Sequence, residues 1–259
     1  MFSRRKFLQT TAGAAASITV LPSFTLADGQ AMEFGGGAVR VIPVSHASVV
    51  IETPRGVIYV DPVGDPAQYS GLPPADLALI THHHGDHLNN DTLAAVMGED
   101  TKLISNKGAQ DKMSGDLAAR AQVIGNGEST SFGDIGIEAI AAYNTTEGRQ
   151  KFHPQGRDNG YVLNVGDTRV YLSADTEDVP EMRALTDIDV ALLCMNLPFT
   201  MDINAAASAV AEFKPSVVIP YHYRGKDGGT QDPVAFAALL DSAIKVEQGD
   251  WYGKGKGMI

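Results

Sequence analysis

The stretch Thr81–His87, with the sequence Thr-His-His-His-Gly-Asp-His, constrains this chain more than any other. It follows the apolar run 77–80, whose length and lack of polar side chains predict a buried strand that ends where the histidines begin. Four of the seven histidines and one carboxylate therefore stand together at a strand end. Imidazole and carboxylate groups are ligands for zinc and similar divalent ions. The stretch predicts a metal site, and the alternative is an exposed histidine-rich loop.

Other candidate ligands also lie at or near the ends of predicted strands. Asp175 follows the strand 169–172, His222 follows the strand 217–220, and His153 lies in a polar loop nearby. Ligands from several strand ends can converge at one sheet edge, which a lone surface histidine does not explain. The converging groups are His82, His84, Asp86, His87, His153, Asp175 and His222. Seven ligands are too many for one four-coordinate ion and suit two ions that share Asp175 as a bridge.

Three further polar residues lie near these predicted ligands. His83 is adjacent to two ligands and would point the other way in an extended loop, so we leave it out of the set. His46 lies between two predicted strands, where a histidine either packs or takes part in catalysis. Asp61 closes the strand 57–60, where it either caps a turn or accepts the second N–H of a ligating imidazole.

Charge and cysteine content exclude some classes of partner and site. The formal charge is -11, and loss of the basic residues 4–6 would take it to -14. Such an acidic chain argues against a nucleic acid or an anionic membrane as the main partner. The single cysteine, Cys194, permits neither an internal disulfide nor a cysteine-cluster metal site. Its apolar neighbours predict a core residue rather than a nucleophile.

Residues 1–27 have the pattern of a bacterial twin-arginine export signal. Arg4 and Arg5 precede a mildly apolar, uncharged stretch from 10 to 27, and cleavage is expected after Ala27. Modest hydrophobicity argues against a membrane-spanning helix. We therefore expect a domain over 28–259 that has no stable membrane span. The twin-arginine translocation machinery would deliver it, already folded, to the periplasm.

Hydrophobic patterning in the mature chain alternates strands with helices. Helices are predicted near 90–97, 110–120, 203–213 and 232–244. Apolar strands rich in β-branched residues separate them. This alternation predicts a mixed sheet structure with covering helices.

Six segments together resemble one protein family. They are Ser45–Glu52, Thr81–His87, the Tyr143-Asn144 loop with His153-Pro154, Ala174–Thr176, Phe199–Met201 and Ile219–Tyr223. The chain resembles the metallo-β-lactamase superfamily, and within it the metal-dependent hydrolases similar to L-ascorbate-6-phosphate lactonase. The resemblance implies an α+β fold, namely a four-layer αβ/βα sandwich with the metal site at one edge of the sheets. One departure is Ala174, where that family usually has glycine.

The resemblance also implies roles for the candidate residues. His82, His84 and His153 would hold one ion, and Asp86, His87 and His222 the other, with Asp175 bridging. Asp86 and His46 would be catalytic, His46 and Asn144 would contact substrate, and Asp61 would orient a ligating imidazole.

The implied activity is metal-dependent hydrolysis of a small-molecule substrate. A hydroxide activated by two divalent ions would attack a lactone, another carboxylic ester or a phosphodiester. Zinc is the first expectation for the metal, with manganese or iron as alternatives. The alternative function is a non-catalytic periplasmic protein that binds or senses metal with the same fold.

Overall fold

The first half of the chain forms one seven-stranded sheet whose strands lie in sequence order. The computed structural model describes residues 31–253, so the predicted export signal lies outside the described residues. The strands are β1 (Met32–Phe34), β2 (Val39–Ser45), β3 (Ser48–Thr53), β4 (Gly56–Val60), β5 (Ala75–Leu79), β6 (Met97–Ser105) and β7 (Ala121–Val123). Strands β1 to β4 pair antiparallel, and β4 to β7 pair parallel.

The second half forms another seven-stranded sheet with the same succession of pairings. Its strands are β8 (Ser129–Phe132), β9 (Ile135–Ala142), β10 (Asp158–Val165), β11 (Thr168–Leu172), β12 (Val190–Cys194), β13 (Val217–Tyr221) and β14 (Lys245–Val246). Strands β8 to β11 pair antiparallel, and β11 to β14 pair parallel. Each half therefore has a set of parallel strands. Loops after β5, β11 and β13 carry most of the predicted metal ligands.

Short helices connect the parallel strands. They are α1 (Asn90–Val96), α2 (Lys107–Gln110), α3 (Gly115–Arg120), α4 (Pro180–Arg183), α5 (Ile203–Phe213) and α6 (Pro233–Ala237), with 3-10 turns at Gly35–Gly37 and Pro66–Tyr69. No helix within residues 31–253 is long and apolar enough to cross a membrane.

Two of the predicted helices are wrong in extent. The helix expected over 110–120 is interrupted, because Ser114 is extended, with φ -60° and ψ 156°, and begins a separate helix. The helix expected over 232–244 ends at Ala237. Beyond it, the Asp241 carboxylate accepts a hydrogen bond from the Ala243 N–H at 2.8 Å, which favours a turn over continued helix.

The alternation of side chains along β5 shows how the layers form. Leu77 and Leu79 belong to the main core between the sheets, whereas Ala78 and Ile80 pack on the other face with Leu93 of α1. Successive residues of a strand point to opposite faces, so one strand supplies both layers. On the second sheet, one face of α5 is buried and belongs to the main core. Its residues there include Ala206, Ala209, Val210 and Phe213. The expected four-layer αβ/βα sandwich is confirmed.

Candidate metal centre

The predicted ligands come together beyond the carboxyl ends of the parallel strands. The loop after β5 carries the histidine stretch, Asp175 follows β11, and His222 follows β13 directly. Their donor atoms form three groups, within each of which the atoms lie within 4.8 Å of one another, and two of the groups share His82. The groups are His82, His84 and His153; His46, Asp86 and His222; and His82, His87 and Asp175. All seven predicted ligands belong to these groups, and His83 belongs to none of them.

Asp61, at the end of β4, holds the histidine loop in place. Its carboxylate accepts hydrogen bonds from the Thr81 N–H at 2.8 Å and the Thr81 hydroxyl at 2.6 Å. The same carboxylate lies 2.8 Å from Nδ1 of His87, which leaves Nε2 of that ring free to face the centre. Within the loop, the backbone N–H groups of His87 and Leu88 both donate to the His84 carbonyl. Asp61 therefore supports the loop backbone and one ligand at the same time.

His153 is oriented by an acidic residue that sequence analysis did not identify. Nδ1 of His153 lies 3.0 Å from Oδ2 of Asp158, at the start of β10. The Arg157 guanidinium donates to both oxygens of Asp158, at 2.6 and 2.7 Å. This contact directs Nε2 of His153 toward Asp175, 3.4 Å away. The available sequence signal was an Arg-Asp pair shortly after the histidine, which is too common a pattern to single out.

The rings of His222 and His46 pack against each other at a tilt of 38°. Their ring centroids are 3.9 Å apart, and both residues have positive φ, at 49° and 50°. The His222 N–H donates to the His46 carbonyl, which ties the two loops together. The Asn196 side-chain amide, after β12, contacts Nδ1 of His222. Sequence analysis did not identify this asparagine.

A tyrosine near the carboxyl terminus completes the surroundings of His46. The Tyr252 hydroxyl lies 2.8 Å from Nδ1 of His46. The neighbouring Trp251 is fully buried, and its carbonyl accepts a hydrogen bond from the His46 N–H. The other ring nitrogen of His46, Nε2, lies 3.5 Å from Oδ2 of Asp86. Sequence analysis missed this contact because Tyr252 and His46 are 206 residues apart.

Asp175 lies between the two groups of predicted ligands. Its Oδ2 faces His153 at 3.4 Å, and its Oδ1 faces Nε2 of His87 at 3.4 Å and Nε2 of His222 at 3.5 Å. The preceding residue, Ala174, has φ 55°, a conformation that glycine adopts more readily. The backbone there is strained in order to turn the Asp175 carboxylate into the centre.

Electrostatics at the centre separate ionised from neutral groups. Burial alone would raise the pKa of Asp175, but the charges of His222 and His87 hold it well below its usual range. Burial lowers the pKa of His82 well below 6.5. Burial, with the neighbouring His222, lowers the pKa of His46 to about 4. Burial would lower the pKa of His87 as well, but the charges of Asp175 and Asp86 raise it well above 6.5. The centre therefore combines an ionised Asp175 with a neutral His82 and His46, and a metal ion would have to displace the proton of His87.

The donor set fits divalent ions on structural grounds. Oδ1 of Asp175 is buried and accepts no hydrogen bond from the residues described. Nε2 of His87 and Nε2 of His222 face each other at 3.1 Å. An ionised oxygen without a hydrogen-bond donor is costly in a buried site, and a cation beside it would remove that cost. All donors are nitrogen or oxygen, which suits zinc, manganese or iron.

Asn144 is occupied by contacts within the protein. Its side chain is 2% exposed and donates to the carbonyls of Phe199 at 2.6 Å and Arg149 at 3.3 Å. It holds the Phe199 loop against the loop that carries His153. Its contact with substrate stays a prediction.

A cavity of about 240 Å³ opens beside the second group of ligands. Its lining includes His46, Asp86 and His222, and then the residues Asn196, Phe199, Arg224, Gly225, Lys226 and Tyr252. Asp86 is the most exposed carboxylate of the centre, with 33% of its side chain accessible, compared with 4% for Asp175. Asp86 therefore faces the cavity and is accessible from it.

Two facing sheets with a histidine and carboxylate centre at their strand ends define the class of the protein. Residues 40–222 match the model of the beta-lactamase superfamily domain. A "UPF0173 metal-dependent hydrolase" from Anaeromyxobacter dehalogenans is 31% identical over 207 residues, which cover 72% of this chain and 75% of that protein. A protein of the same name from Pyrococcus horikoshii is 29% identical over 220 residues, covering 80% of this chain and 95% of that protein.

Solved structures agree with this assignment. A protein from Parabacteroides distasonis is 39% identical, with a TM-score of 0.75, and the match covers 86% of this chain and 98% of that one. The metallo hydrolase Igni18 from Ignicoccus hospitalis has the same fold, with 23% identity and a TM-score of 0.64 over 82% of this chain and 95% of that one. The chain belongs to the metallo-β-lactamase superfamily and, within it, to the UPF0173 metal-dependent hydrolase family. The expected superfamily is confirmed, and the closer resemblance to ascorbate-phosphate lactonase stays a prediction.

Proposed function

We propose that the protein is a hydrolase that uses two divalent metal ions on a lactone, another carboxylic ester or a phosphodiester. The observation that carries the proposal is Asp175, which turns one oxygen toward His153 and the other toward His87 and His222. A carboxylate with an oxygen for each of two ligand groups suits a bridge between two ions. Membership in a family of metal-dependent hydrolases supports hydrolysis as the reaction.

In this proposal, two sets of residues hold the ions. His82, His84 and His153 would hold one, Asp86, His87 and His222 would hold the other, and Asp175 would contribute to both. Bound divalent ions supply a water molecule whose pKa is lowered to about 7 and an electrophile that polarises the substrate. The near-complete burial of His82 and His87 limits the access of other water to this part of the centre.

Asp86 and His46 face the cavity and act on the substrate side. Asp86 is ionised, because the charge of His87 and contacts from His222 and His46 outweigh the effect of burial and lower its pKa. Its Oδ2 lies 3.3 Å from Nε2 of His222 and 3.5 Å from Nε2 of His46. From that position it orients the attacking water and accepts a hydrogen bond from it.

A chain of hydrogen bonds favours one tautomer of His46. The Arg224 backbone N–H donates to the Tyr252 oxygen at 3.3 Å, so the Tyr252 hydroxyl is free to donate to Nδ1 of His46. Burial raises the pKa of Tyr252, which keeps that hydroxyl protonated. A neutral His46 then carries its proton on Nε2, the nitrogen beside Asp86. That N–H can donate to a substrate oxygen that gains negative charge during attack.

A substrate panel tests the proposal. Purified protein loaded with zinc, manganese or iron would be assayed with lactones, thioesters, β-lactams and bis-aryl phosphodiesters. We expect turnover of a lactone or another ester, or of a phosphodiester, together with two ions per chain by metal analysis. Two bound ions without turnover of any class would contradict the enzyme proposal. That result would favour a metal-binding or sensing protein.

We also propose that the twin-arginine segment exports the protein, already folded, to the periplasm. Support comes from the Arg4-Arg5 pair and the uncharged stretch that follows it. Fractionation of a bacterial host that produces the full chain would test export. Replacement of both arginines by lysine should retain the protein in the cytoplasm. Equal periplasmic amounts of both versions would contradict this route.

A further inference from the structure

The first residues of β10 contact the histidine loop of the other sheet. The Asn159 N–H donates to the Thr81 carbonyl at 3.1 Å, and the Tyr161 hydroxyl donates to the Ile80 carbonyl at 2.9 Å. Ile80 and Thr81 link the end of β5 to the loop that begins with His82. The four residues that form these two hydrogen bonds are all fully buried. A strand of the second sheet therefore holds the start of the histidine loop of the first sheet.

The direction of the Tyr161 hydrogen bond is set by a neighbouring side-chain amide. Nδ2 of Asn159 donates to the Tyr161 oxygen at 3.3 Å and to the Ile124 carbonyl at 2.9 Å. Nδ2 of Asn126 donates to Oδ1 of Asn159 at 2.7 Å, which fixes the orientation of that amide. Burial raises the pKa of Tyr161, so its hydroxyl stays protonated. Since one donor already points at its oxygen, the hydroxyl directs its own proton to the Ile80 carbonyl.

The same end of β10 also supports predicted ligands of the second half. Asp158, its first residue, contacts Nδ1 of His153 at 3.0 Å. Gly160 lies against the segment that precedes Asp175, and a Cβ at Gly160 would lie 2.8 Å from the Leu172 carbonyl oxygen. Because glycine has no Cβ, β10 can approach that backbone closely. Four consecutive residues of one strand therefore contact three segments that carry or precede predicted ligands.

We propose that the first four residues of β10 align the ligands of one metal ion, and that Tyr161 is the positioning residue for the histidine loop. This inference rests on the two-ion centre of the proposed function. The ligands of that ion are His82, His84, His153 and Asp175. Each lies on, or directly after, a segment that these β10 residues contact. The other ion depends less on β10, because Asp61 and Asn196 contact the rings of its two histidines.

Tyr161→Phe tests this role because it removes the hydroxyl and keeps the ring. The buried Ile80 carbonyl then loses a donor, and the histidine loop can shift relative to β10. The Thr81 carbonyl is a poorer target, because its donor in β10 is a backbone N–H and the Asn106 side chain also donates to it. Tyr171→Phe is the matched control. Tyr171 is equally buried on the neighbouring β11, and its hydroxyl has no hydrogen-bond partner within residues 31–253.

Two background variants allow the ions to be measured separately. His222→Ala removes a ligand of the second ion and leaves the ion that β10 supports, whereas His153→Ala leaves the other ion. Co²⁺ affinity would be measured by competition with a chelator, and the visible spectrum of bound Co²⁺ would report its coordination. In the His222→Ala background, Tyr161→Phe should weaken Co²⁺ binding about three- to tenfold, the value of one net hydrogen bond, and change the spectrum. In the His153→Ala background, the affinity should stay within about twofold, as expected for independent sites.

Tyr171→Phe should leave the Co²⁺ affinity unchanged in both backgrounds. Unchanged affinity for Tyr161→Phe in the His222→Ala background would overturn the proposal. An equal loss in both backgrounds would also overturn it, because Tyr161 would then stabilise the fold as a whole. If Tyr161→Phe does not fold, Asn126→Ala decides, since the Asn126 side chain is only partly buried and its removal frees the amide that donates to Tyr161. Asn126→Ala should weaken the same ion by a smaller factor, and an unchanged affinity would overturn the proposal.

The Co²⁺ readout separates this inference from the proposed function, because it does not require turnover. The same full-length proteins, loaded with metal, would also be assayed with the panel of esters and phosphodiesters. Selective loss of Co²⁺ affinity in Tyr161→Phe, with no hydrolysis by the wild type, would support the role of Tyr161 and contradict the hydrolase. Hydrolysis by the wild type, with no selective loss of affinity in Tyr161→Phe, would support the hydrolase and overturn the role of Tyr161.

Discussion

The two halves of the molecule contribute to the metal centre in different ways. The first sheet supplies His82, His84, Asp86 and His87 from one loop after β5. The second sheet supplies His153, Asp175 and His222 from three separate loops. The first contribution is compact in sequence, and the second is assembled only by the fold.

This difference extends to the residues that support the ligands. In the first half, the Asp61 carboxylate contacts both the Thr81 backbone N–H and the His87 ring. In the second half each histidine has its own partner, Asp158 for His153 and Asn196 for His222. Asp61 therefore supports the loop backbone as well as one ligand, whereas each support in the second half contacts a single ligand. Substitution of Asp61 should therefore disturb more of the metal centre than substitution of Asp158.

The largest effect is expected for Asp175→Ala, which removes the contact common to both halves. In the proposed two-ion centre both ions would lose a ligand, so activity should fall by more than about 100-fold, the upper range for loss of a residue that only orients a ligand. Metal analysis should show fewer than two ions per chain. Asp134→Ala is a control, because that carboxylate is exposed and pairs with Arg55. Retention of both ions at wild-type affinity would refute the bridge.

A comparison of Asp61→Asn with Asp158→Asn tests the difference between the supports. Each should weaken metal binding by roughly 10- to 100-fold. Asp61→Asn should have the larger effect, because it disturbs the loop backbone as well as the His87 ring. Metal titration with a competing chelator measures both affinities. A larger loss of metal affinity in Asp158→Asn would contradict the view that Asp61 supports both the loop backbone and the His87 ring.

Tyr252→Phe tests the contact that positions His46, which is separate from the contacts of Asp61, Asp158 and Asn196. The variant loses the hydroxyl that contacts Nδ1 of His46, and kcat/KM should fall about three- to tenfold, the value of one net hydrogen bond. Two ions should still bind, because no predicted ligand changes. Tyr59→Phe is the control, since its hydroxyl donates to the Pro73 carbonyl away from the centre. An unchanged rate would show that Tyr252 does not position His46.

The smallest effect concerns Cys194, at the end of β12 in the second half. Burial, reinforced by the charge of Asp175, raises the pKa of its thiol to about 12. The thiolate fraction at pH 8 is then about 10⁻⁴, and it rises as the pH approaches 12. The folded protein should not react with iodoacetamide at pH 8, whereas the unfolded protein should, as mass spectrometry can show. Rapid modification of the folded protein would contradict the burial of the Cys194 thiol at the end of β12.

The sequence predicted the first half of the centre better than the second for a physical reason. The stretch from His82 to His87 is local, so its composition alone indicates a metal site. Asp175 and His222 were recognised because each follows an apolar strand. The contacts of Asp158, Asn196 and Tyr252 depend on how separate loops meet, and no local pattern encodes that.

For the fold as well, features set by a local apolar pattern were predicted better than the points at which that pattern is interrupted. Strand positions and the helix over 203–213 follow from apolar periodicity, and the structure confirms that helix as α5. The helices predicted over 110–120 and 232–244 extend through Ser114 and Asp241, where local polar groups favour turns. Periodicity does not detect such interruptions, because the apolar residues continue on both sides of them.

Every strand pairs with its neighbour in sequence, and the first seven strands are complete before the second seven begin. Each sheet can therefore assemble from contacts within its own half of the chain, without closing a loop through the other half. The metal centre lies where the finished halves meet. Metal affinity should therefore appear late in refolding, after sheet formation. Separately produced halves, divided at the turn near Asn126, should regain metal binding only when they are combined.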